Sequence, residues 1–420
     1  MNSFKNYGGS LIAFLSVSLG VCGFALPALA GDGDCVVFDP MGSHAVSNPI
    51  LRGAVEMAGT LAYVSTDSGS VRIFDLIDPE QPTLIDTFHI GLNSYPFIWD
   101  IDVRNGIAFV SITSFTDAAG LYIVDTTDPT TSVLLGSNIS VELGNITVAG
   151  DYLYGVNGIY PPAVRELYVF DISDLSAPAL VSRTPVPHQG HEVSNLEVVG
   201  DRLYLTQQSE GLVIFDASDP TAPVVIGSFD SAVNAHDVKI DGSIAYLSDG
   251  DDGLKVIDIQ DPSNPTLLAS YPSFVNLESL VLDGSTLYGH VEDLGVRVLD
   301  VSDPLMIESL GLYLPSADRI LMEMTAQGDQ LLTMSRPVVP GQSAVRIEVI
   351  AMTNTCDHSC PLDADCPADL ADDGQINGFD VSFFLGFFGS HDPRADFECD
   401  GQFNFFDVVA FLSAFSAGCP

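Results

Sequence analysis

Leu212-Val213-Ile214-Phe215-Asp216-Ala217-Ser218-Asp219-Pro220 is a short β-branched run closed by a carboxylate and a Ser-Asp-Pro turn. The phrase recurs. It returns as Val71-Arg72-Ile73-Phe74-Asp75, Leu121-Tyr122-Ile123-Val124-Asp125, Leu167-Tyr168-Val169-Phe170-Asp171, Leu254-Lys255-Val256-Ile257-Asp258 and Val296-Arg297-Val298-Leu299-Asp300. In chain order the spacings are 50, 46, 45, 42 and 42 residues. A period of about 40–50 residues made of short strands is the pattern of a propeller blade. The closing Asp reads as structural, because a carboxylate ahead of a Ser-Asp-Pro turn accepts backbone N–H groups.

Each period divides into four strands. In the fifth, Asp237–Asp241 is the first strand, Ile244–Leu247 the second, Gly253–Ile259 the third and Thr266–Ser270 the fourth. The pattern begins near Val55, Ile101, Ile146, Leu196, Val238, Leu280 and Leu321, which predicts an all-β fold of seven blades. The last blade has Ile320–Thr325, Gln330–Met334 and Val345–Met352 but no fourth strand. Cys35-Val36-Val37-Phe38-Asp39 precedes the first blade and is expected to supply it, closing the ring and removing exposed sheet edges. Cys35 and Cys356 then stand at the two ends of the closure, where a disulfide would lock it; pairing of Cys356 with Cys360 is the alternative.

The flanks set the compartment and the charge. Residues 1–30 read as a signal peptide: Lys5, an apolar run from Leu11 to Leu26, and the small-x-small site Ala28-Leu29-Ala30. The mature chain is expected to be secreted or held at the cell surface. Six cysteines follow, an even number that suits disulfides in an oxidising compartment, and Cys360-x5-Cys366 lacks zinc-ribbon spacing. The chain has 14 Lys and Arg against 56 Asp and Glu, a formal net charge of −42. Such a surface repels nucleic acid and anionic membranes. No run after the signal has the roughly 18 apolar residues of a membrane span.

The recurring phrases, with Asp-x-Ser-Asp-Pro or a close variant after five of the six, resemble the LVIVD-repeat propeller family over residues 35 to about 352. That resemblance implies a propeller domain over 35–355 followed by a linker at 356–365. It implies no activity, since the family is defined by its repeat.

From Cys366 the composition changes, and two patterns repeat 27 residues apart. One is Asp369-Leu370-Ala371-Asp372-Asp373-Gly374-Gln375-Ile376-Asn377-Gly378-Phe379-Asp380. The other is Asp396-Phe397-Glu398-Cys399-Asp400-Gly401-Gln402-Phe403-Asn404-Phe405-Phe406-Asp407. Both follow the EF-hand loop pattern, with oxygen ligands at positions 1, 3, 5, 9 and 12, a carbonyl at 7 and Gly at 6. The second loop supplies Asp396, Glu398, Asp400, Gln402, Asn404 and Asp407. The first supplies Asp369, Asp373, Gln375, Asn377 and Asp380, with Ala371 at position 3, so its calcium site is expected to be weaker. Each loop is followed by a helical stripe: Val381, Phe384, Leu385 and Phe388, then Val408, Phe411, Leu412 and Phe415.

Duplicated loop–helix units of this length resemble a dockerin over residues 366–420. The resemblance implies an α-helical module with two calcium ions and a protein partner. Dockerins carry small polar residues at loop positions 10 and 11, where a cohesin is recognised. Here those positions are Gly378-Phe379 and Phe405-Phe406, which puts an ordinary cohesin in doubt. Phe383, Phe387 and Phe405 are the candidate partner-facing patch, or they pack on the opposite helix or the propeller. Cys366 and Cys419 flank the module and are expected to pair, leaving Cys360 and Cys399.

The position five before the turn that ends each first strand reads Ala54, Asp100, Asn145, Asn195, Asp237, Ser279 and Glu323. First strands face the channel, so this ring suits a cation or a polyhydroxylated ligand such as a carbohydrate; alternatively each Asp or Asn caps its own incoming loop. His236 stands beside Asp237, and His188-Gln189-Gly190-His191-Glu192 is a feature of one blade. Two His and a carboxylate can hold a transition metal, although the spacing matches no metallohydrolase motif. Trp99, the one Trp, precedes Asp100 and offers a platform for a sugar face or packs in a loop. Gly-x-Ser-x-Gly, phosphate-loop and dinucleotide motifs are absent from the sequence. The sequence therefore favours an exported, non-catalytic binding or scaffold propeller tethered by a calcium module. The alternative is a propeller lyase, hydrolase or lactonase, glycan-directed, with its site at the channel mouth.

Overall fold

The structure, a computed structural model, describes residues 36–354 apart from loop stretches at 48–52, 67–68, 91–96, 114–118, 158–164, 188–192, 232–233, 251, 272–276, 292–293 and 339–343. Beyond 354 it describes positions 381, 384, 385, 388, 395, 408, 409, 411, 412 and 415. Cys35 and Cys356, and the remaining cysteines with the expected Cys366–Cys419 pair, lie outside the described residues.

Seven four-stranded antiparallel sheets follow one another along the chain. Their first strands are Val55–Ala58, Phe97–Arg104, Ile146–Ala149, Val193–Val199, Val238–Asp241, Leu277–Asp283 and Arg319–Gln327, here blades 1 to 7. Each first strand packs against the first strands of both neighbours, and the seventh returns to the first. The sheets therefore stand radially around a central channel. The fourth strand of blade 7 is the chain's beginning. Val36–Ser47 pairs antiparallel with Ala344–Asn354, Phe38 opposite Met352 and Val46 opposite Val345, as the interrupted last repeat requires.

The core is seven clusters, one between each pair of adjacent blades. This explains why the repeated phrase is apolar at successive positions before its Asp, broken only by Arg72, Lys255 and Arg297 at the second. In Gly211–Asp216, Val213 and Phe215 face the blade 3–4 cluster, while Leu212 and Ile214 face the blade 4–5 cluster. A strand buried on both faces loses the alternation of a half-exposed one. The closing Asp is solvated, and its job is local. Asp216 Oδ1 accepts the Ser218 N–H at 3.0 Å, and Asp219 Oδ1 accepts that of Thr221 at 3.0 Å. The same pair of turns recurs at Asp75 and Asp78, Asp125 and Asp128, Asp171 and Asp174, Asp258 and Asp261, and Asp300 and Asp303.

These turns also lock blade to blade. The turn of blade 5 lies against Gly227 in the fourth strand of blade 4, where a Cβ would collide with the Pro262 carbonyl oxygen. Gly136 meets the Leu175–Ser176 backbone of blade 3 in the same way, and Gly42 in the closing strand meets Pro79–Glu80 of blade 1. In blade 1 the position is Asp86, whose Oδ2 accepts the Ser132 N–H of blade 2 at 3.0 Å.

In the C-terminal part, positions 381, 384, 385, 388, 408, 409, 411, 412 and 415 are helical. Phe384 and Phe411, 27 residues apart, stack with centroids 4.1 Å apart and planes at 4°, each 1% exposed. Leu385 and Leu412, which share the apolar stripe, are 61% and 51% exposed. A close ring stack narrows the contact to one residue per turn and leaves the next position in solvent. The calcium-ligand positions of both loops, from Asp369 to Asp380 and Asp396 to Asp407, lie outside the described residues, as do Phe383, Phe387 and Phe405.

Candidate functional site

The first strands enclose a cavity of about 1030 Å³. Ala54, Asp100, Asn145, Asn195, Asp237, Ser279 and Glu323 all line it, together with Trp99 and His236. Alignment on the turns thus selects residues that come together in space. In blades 2, 4 and 7 the ring residue sits at a β-bulge, between Ile98 and Asp100, Val193 and Asn195, and Leu321 and Glu323. Bulges re-aim side chains in this way next to sites.

Part of the ring is architecture. Asp100 accepts the Ile101 N–H through Oδ1 at 2.8 Å and the Ile146 N–H of blade 3 through Oδ2 at 2.9 Å. Asp237 repeats this arrangement with Val238 at 2.7 Å and Leu280 of blade 6 at 2.8 Å. These side chains do more than cap their own strands: they tie each blade to the next. Asn195 donates through Nδ2 to Asp237 Oδ1 at 2.5 Å, and the Trp99 indole N–H donates to Asn145 Oδ1 at 3.1 Å. Trp99 is thereby fixed at the cavity wall by a hydrogen bond to the neighbouring blade.

Sequence reading missed two things. The first is a second ring two residues further along each first strand: Glu56, Asp102, Thr147, Glu197, Lys239, Val281 and Thr325 also line the cavity. The period of two in a strand points to them, since residue i+2 shares a face with i. The second is a hydroxyl 11 residues after the ring position. Ser65 accepts the Ala54 N–H at 2.7 Å, Thr206 that of Asn195 at 2.8 Å, and Ser248 that of Asp237 at 2.9 Å. These hydroxyls satisfy the backbone N–H of the ring residue, in blade 4 at the bulge itself.

Carboxylates outnumber cations here, and burial sets their behaviour. Glu56 is pushed up to about 8 by burial and by the negative charges of Asp102 and Asp100. Glu323 rises to about 8 through burial and repulsion from Asp100, Asp237 and Glu278, against one hydrogen bond from the Met324 N–H. Asp100 rises to about 7 through burial, its two N–H partners offsetting part of the cost. Asp102 lies 3.2 Å from the Arg104 guanidinium. Lys239 is held between Asp237 at 3.4 Å and Glu197 at 3.8 Å. Burial disfavours its charge, but those two carboxylates outweigh it and push it up to about 12.

His236 meets the Asn234 side chain at 2.9 Å, and His290 Nδ1 lies 3.6 Å from Glu278 at the cavity wall. Among the described residues, no three His, Cys, Asp or Glu side chains converge to hold a metal ion. His188, His191 and Glu192 lie outside the described residues.

Three stretches, 143–185, 190–231 and 233–273, match the family model described as "LVIVD repeat". These are LVIVD repeats. They coincide with blades 3, 4 and 5, and the same architecture continues around the seven-bladed propeller. Among solved structures, the chain is similar to Raptor from Chaetomium thermophilum, with 12% identity and a TM-score of 0.59. That match covers 75% of this chain and 29% of Raptor, so the chain spans under a third of it. The chain is also similar to the computationally designed Ika8 protein, with 13% identity and a TM-score of 0.51 over 73% of this chain and 89% of that one. Both likenesses are of fold alone. No curated protein matches the chain in sequence.

Proposed function

We propose that this LVIVD-repeat propeller is an exported, non-catalytic binding protein. Its channel mouth takes a small polar ligand, and residues 366–420 form a dockerin-like module that tethers it, through calcium, to a protein partner or surface. The observation that carries the reading is the cavity itself: about 1030 Å³, ringed by polar side chains converging from seven blades, with Trp99 held in its wall. Concave sites with a few convergent polar groups are where proteins bind small molecules. Binding is favoured over catalysis because both Asp237 oxygens already accept backbone N–H groups, from Val238 and Leu280, and so serve the architecture of the ring. The stack of Phe384 on Phe411, equivalent positions of the two units, supports the duplicated module.

Two experiments test this. The full chain is screened on a glycan array and a metabolite panel. A ligand lost on Trp99→Ala or Asn145→Ala supports the channel-mouth site. Ligands indifferent to both substitutions, or turnover of a ligand, overturn the reading. For the tether, calcium calorimetry should show that Asp396→Ala removes the tighter of two sites and Asp369→Ala the weaker. Equal losses would refute the ranking, and no calcium binding would refute the module.

A further inference from the structure

Blades 4 and 5 contain an arrangement that blades 1 and 2 repeat with one change. Glu197 in the second ring of blade 4 and Asp237 in the first ring of blade 5 share one ammonium, that of Lys239 in the second ring of blade 5. Three blades away, Glu56 takes the place of Glu197 and Asp100 that of Asp237. The residue in the place of Lys239 is Asp102. The built-in cation is thus replaced by a third carboxylate, and Arg104, 53% exposed, pairs with that carboxylate at 3.2 Å.

The consequences are visible in the side chains. Among the described residues the Glu56 carboxyl makes no hydrogen bond or ion pair, and only burial and distant charges act on it. On its other flank Glu323 of blade 7 uses Oε1 for the Met324 N–H at 3.3 Å. Between Glu323 and Asp100 the first ring holds only the methyl of Ala54. The result is a notch in the cavity wall: small at its centre, a carboxyl on each side, and Glu56 two residues further along the same strand.

We propose that this notch binds a primary ammonium group, seated over Ala54 between Glu323 and Asp100 and reaching Glu56, as Lys239 does on the opposite side of the channel. This rests on the channel mouth being the ligand site and names the chemistry of its ligand. An ammonium fits better than a metal ion, since no three carboxylates or imidazoles among the described residues converge to coordinate one. Trp99 in the same wall suits the alkyl chain or the charge of such a ligand. A free diamine and a lysine side chain on a peptide share this chemistry.

The protonation states supply a readout that the acidic surface cannot imitate. Glu56 faces Asp102, Asp100, Arg104 and Lys239, and Glu323 faces Asp100, Asp237 and Glu278. Both are pushed up to about 8, so at pH 7.5 each is largely protonated, and an arriving cation expels protons. Ordinary surface carboxylates are already ionised at that pH and release none.

The test is titration calorimetry of the full chain at pH 7.5 in two buffers of different ionisation enthalpy. The probes are 1,5-diaminopentane, the tripeptide Gly-Lys-Gly, 1,5-pentanediol and magnesium. The expected result is binding of the diamine or the tripeptide, whichever of the two sources the site takes, with release of about one proton and no heat from the diol. Glu56→Gln should weaken binding at least tenfold, and Asp102→Lys, which rebuilds the blade 4–5 arrangement, should abolish it. Should Asp102→Lys fail to fold, Glu56→Gln decides alone. Amine binding unchanged by Glu56→Gln and free of proton release would mark surface adsorption and overturn the proposal, as would displacement of the amine by equimolar magnesium. If no amine binds but a neutral ligand does and is lost on Asn145→Ala, the ammonium assignment falls and the channel-mouth site stands. If nothing binds there, both fall.

Discussion

The turn carboxylates at the outer side of the blades and the carboxylates of the channel are the same chemical group put to opposite uses. Outside, Asp171, Asp216 and Asp261 accept short hydrogen bonds from their own turns, which hold them below the usual carboxylate range. Inside, burial and mutual repulsion push Glu56, Asp100 and Glu323 upward. The outer set repeats from blade to blade; the inner set differs in nearly every blade. In a repeat protein, recurrence marks what each unit needs to stand, and divergence at an equivalent position marks what the assembly needs once.

The hardest test of that division is Asp237, an inner residue that we assign to architecture. Asp237→Ala strands the Val238 and Leu280 N–H groups in a site where the residue is 3% exposed. At about 1–3 kcal/mol for each unsatisfied donor, stability should fall by about 2–5 kcal/mol in urea unfolding. A loss under about 1 kcal/mol would break the assignment. Gly227→Val tests the interlock of the outer turns. Its side chain would occupy the Pro262 carbonyl's place and should cost about 1–3 kcal/mol; a neutral result would mean that the turns dock loosely.

A smaller effect sharpens the comparison through pH. Groups with lowered values stabilise the fold above their unfolded values, and that contribution is lost as pH falls through them. Groups with raised values do the reverse: their stabilisation is complete below the unfolded value and disappears as pH rises towards 8. The melting temperature should therefore peak at about pH 4–5 and decline on both sides. Glu56→Gln with Glu323→Gln should flatten the alkaline side only, while Asp216→Asn with Asp261→Asn should flatten the acid side only. Smallest of all, Glu56→Gln by itself should leave stability at pH 5 unchanged or raised by under about 1 kcal/mol, because the buried carboxyl it replaces is neutral there. A clear loss would show that Glu56 holds the fold together.

How much of this the sequence discloses follows from the same division. The period and the closing phrase expose the blades because every blade repeats them, and the missing fourth strand predicts the clasp of Val36–Ser47 on Ala344–Asn354. The first channel ring is legible because the turns that end the first strands provide a common register. The second ring is harder to see: Glu56, Thr147, Lys239 and Val281 share no residue type, so only strand periodicity connects them. The blade-to-blade bonds of Asp100 and Asp237 are invisible along the chain, since their partners lie more than forty residues away and meet them only through radial packing. A helical stripe likewise gives a face but not the width of the contact upon it, as the exposure of Leu385 and Leu412 shows.

The clasp imposes an order of assembly. Val36 is made early and waits for Asn354, the last residue of its partner strand, to exist. Until then six sheets can form, each from contiguous chain, while the seventh remains open and the first blade lacks its Gly42 neighbour. Joining segments so distant costs more closure entropy than any hairpin, so ring completion is the natural slow step of folding. A nascent or truncated chain that stops short of residue 344 would carry an unsealed edge at each end of the incomplete ring. The clasp therefore makes the integrity of the last blade a check on whether the whole repeat array has been synthesised.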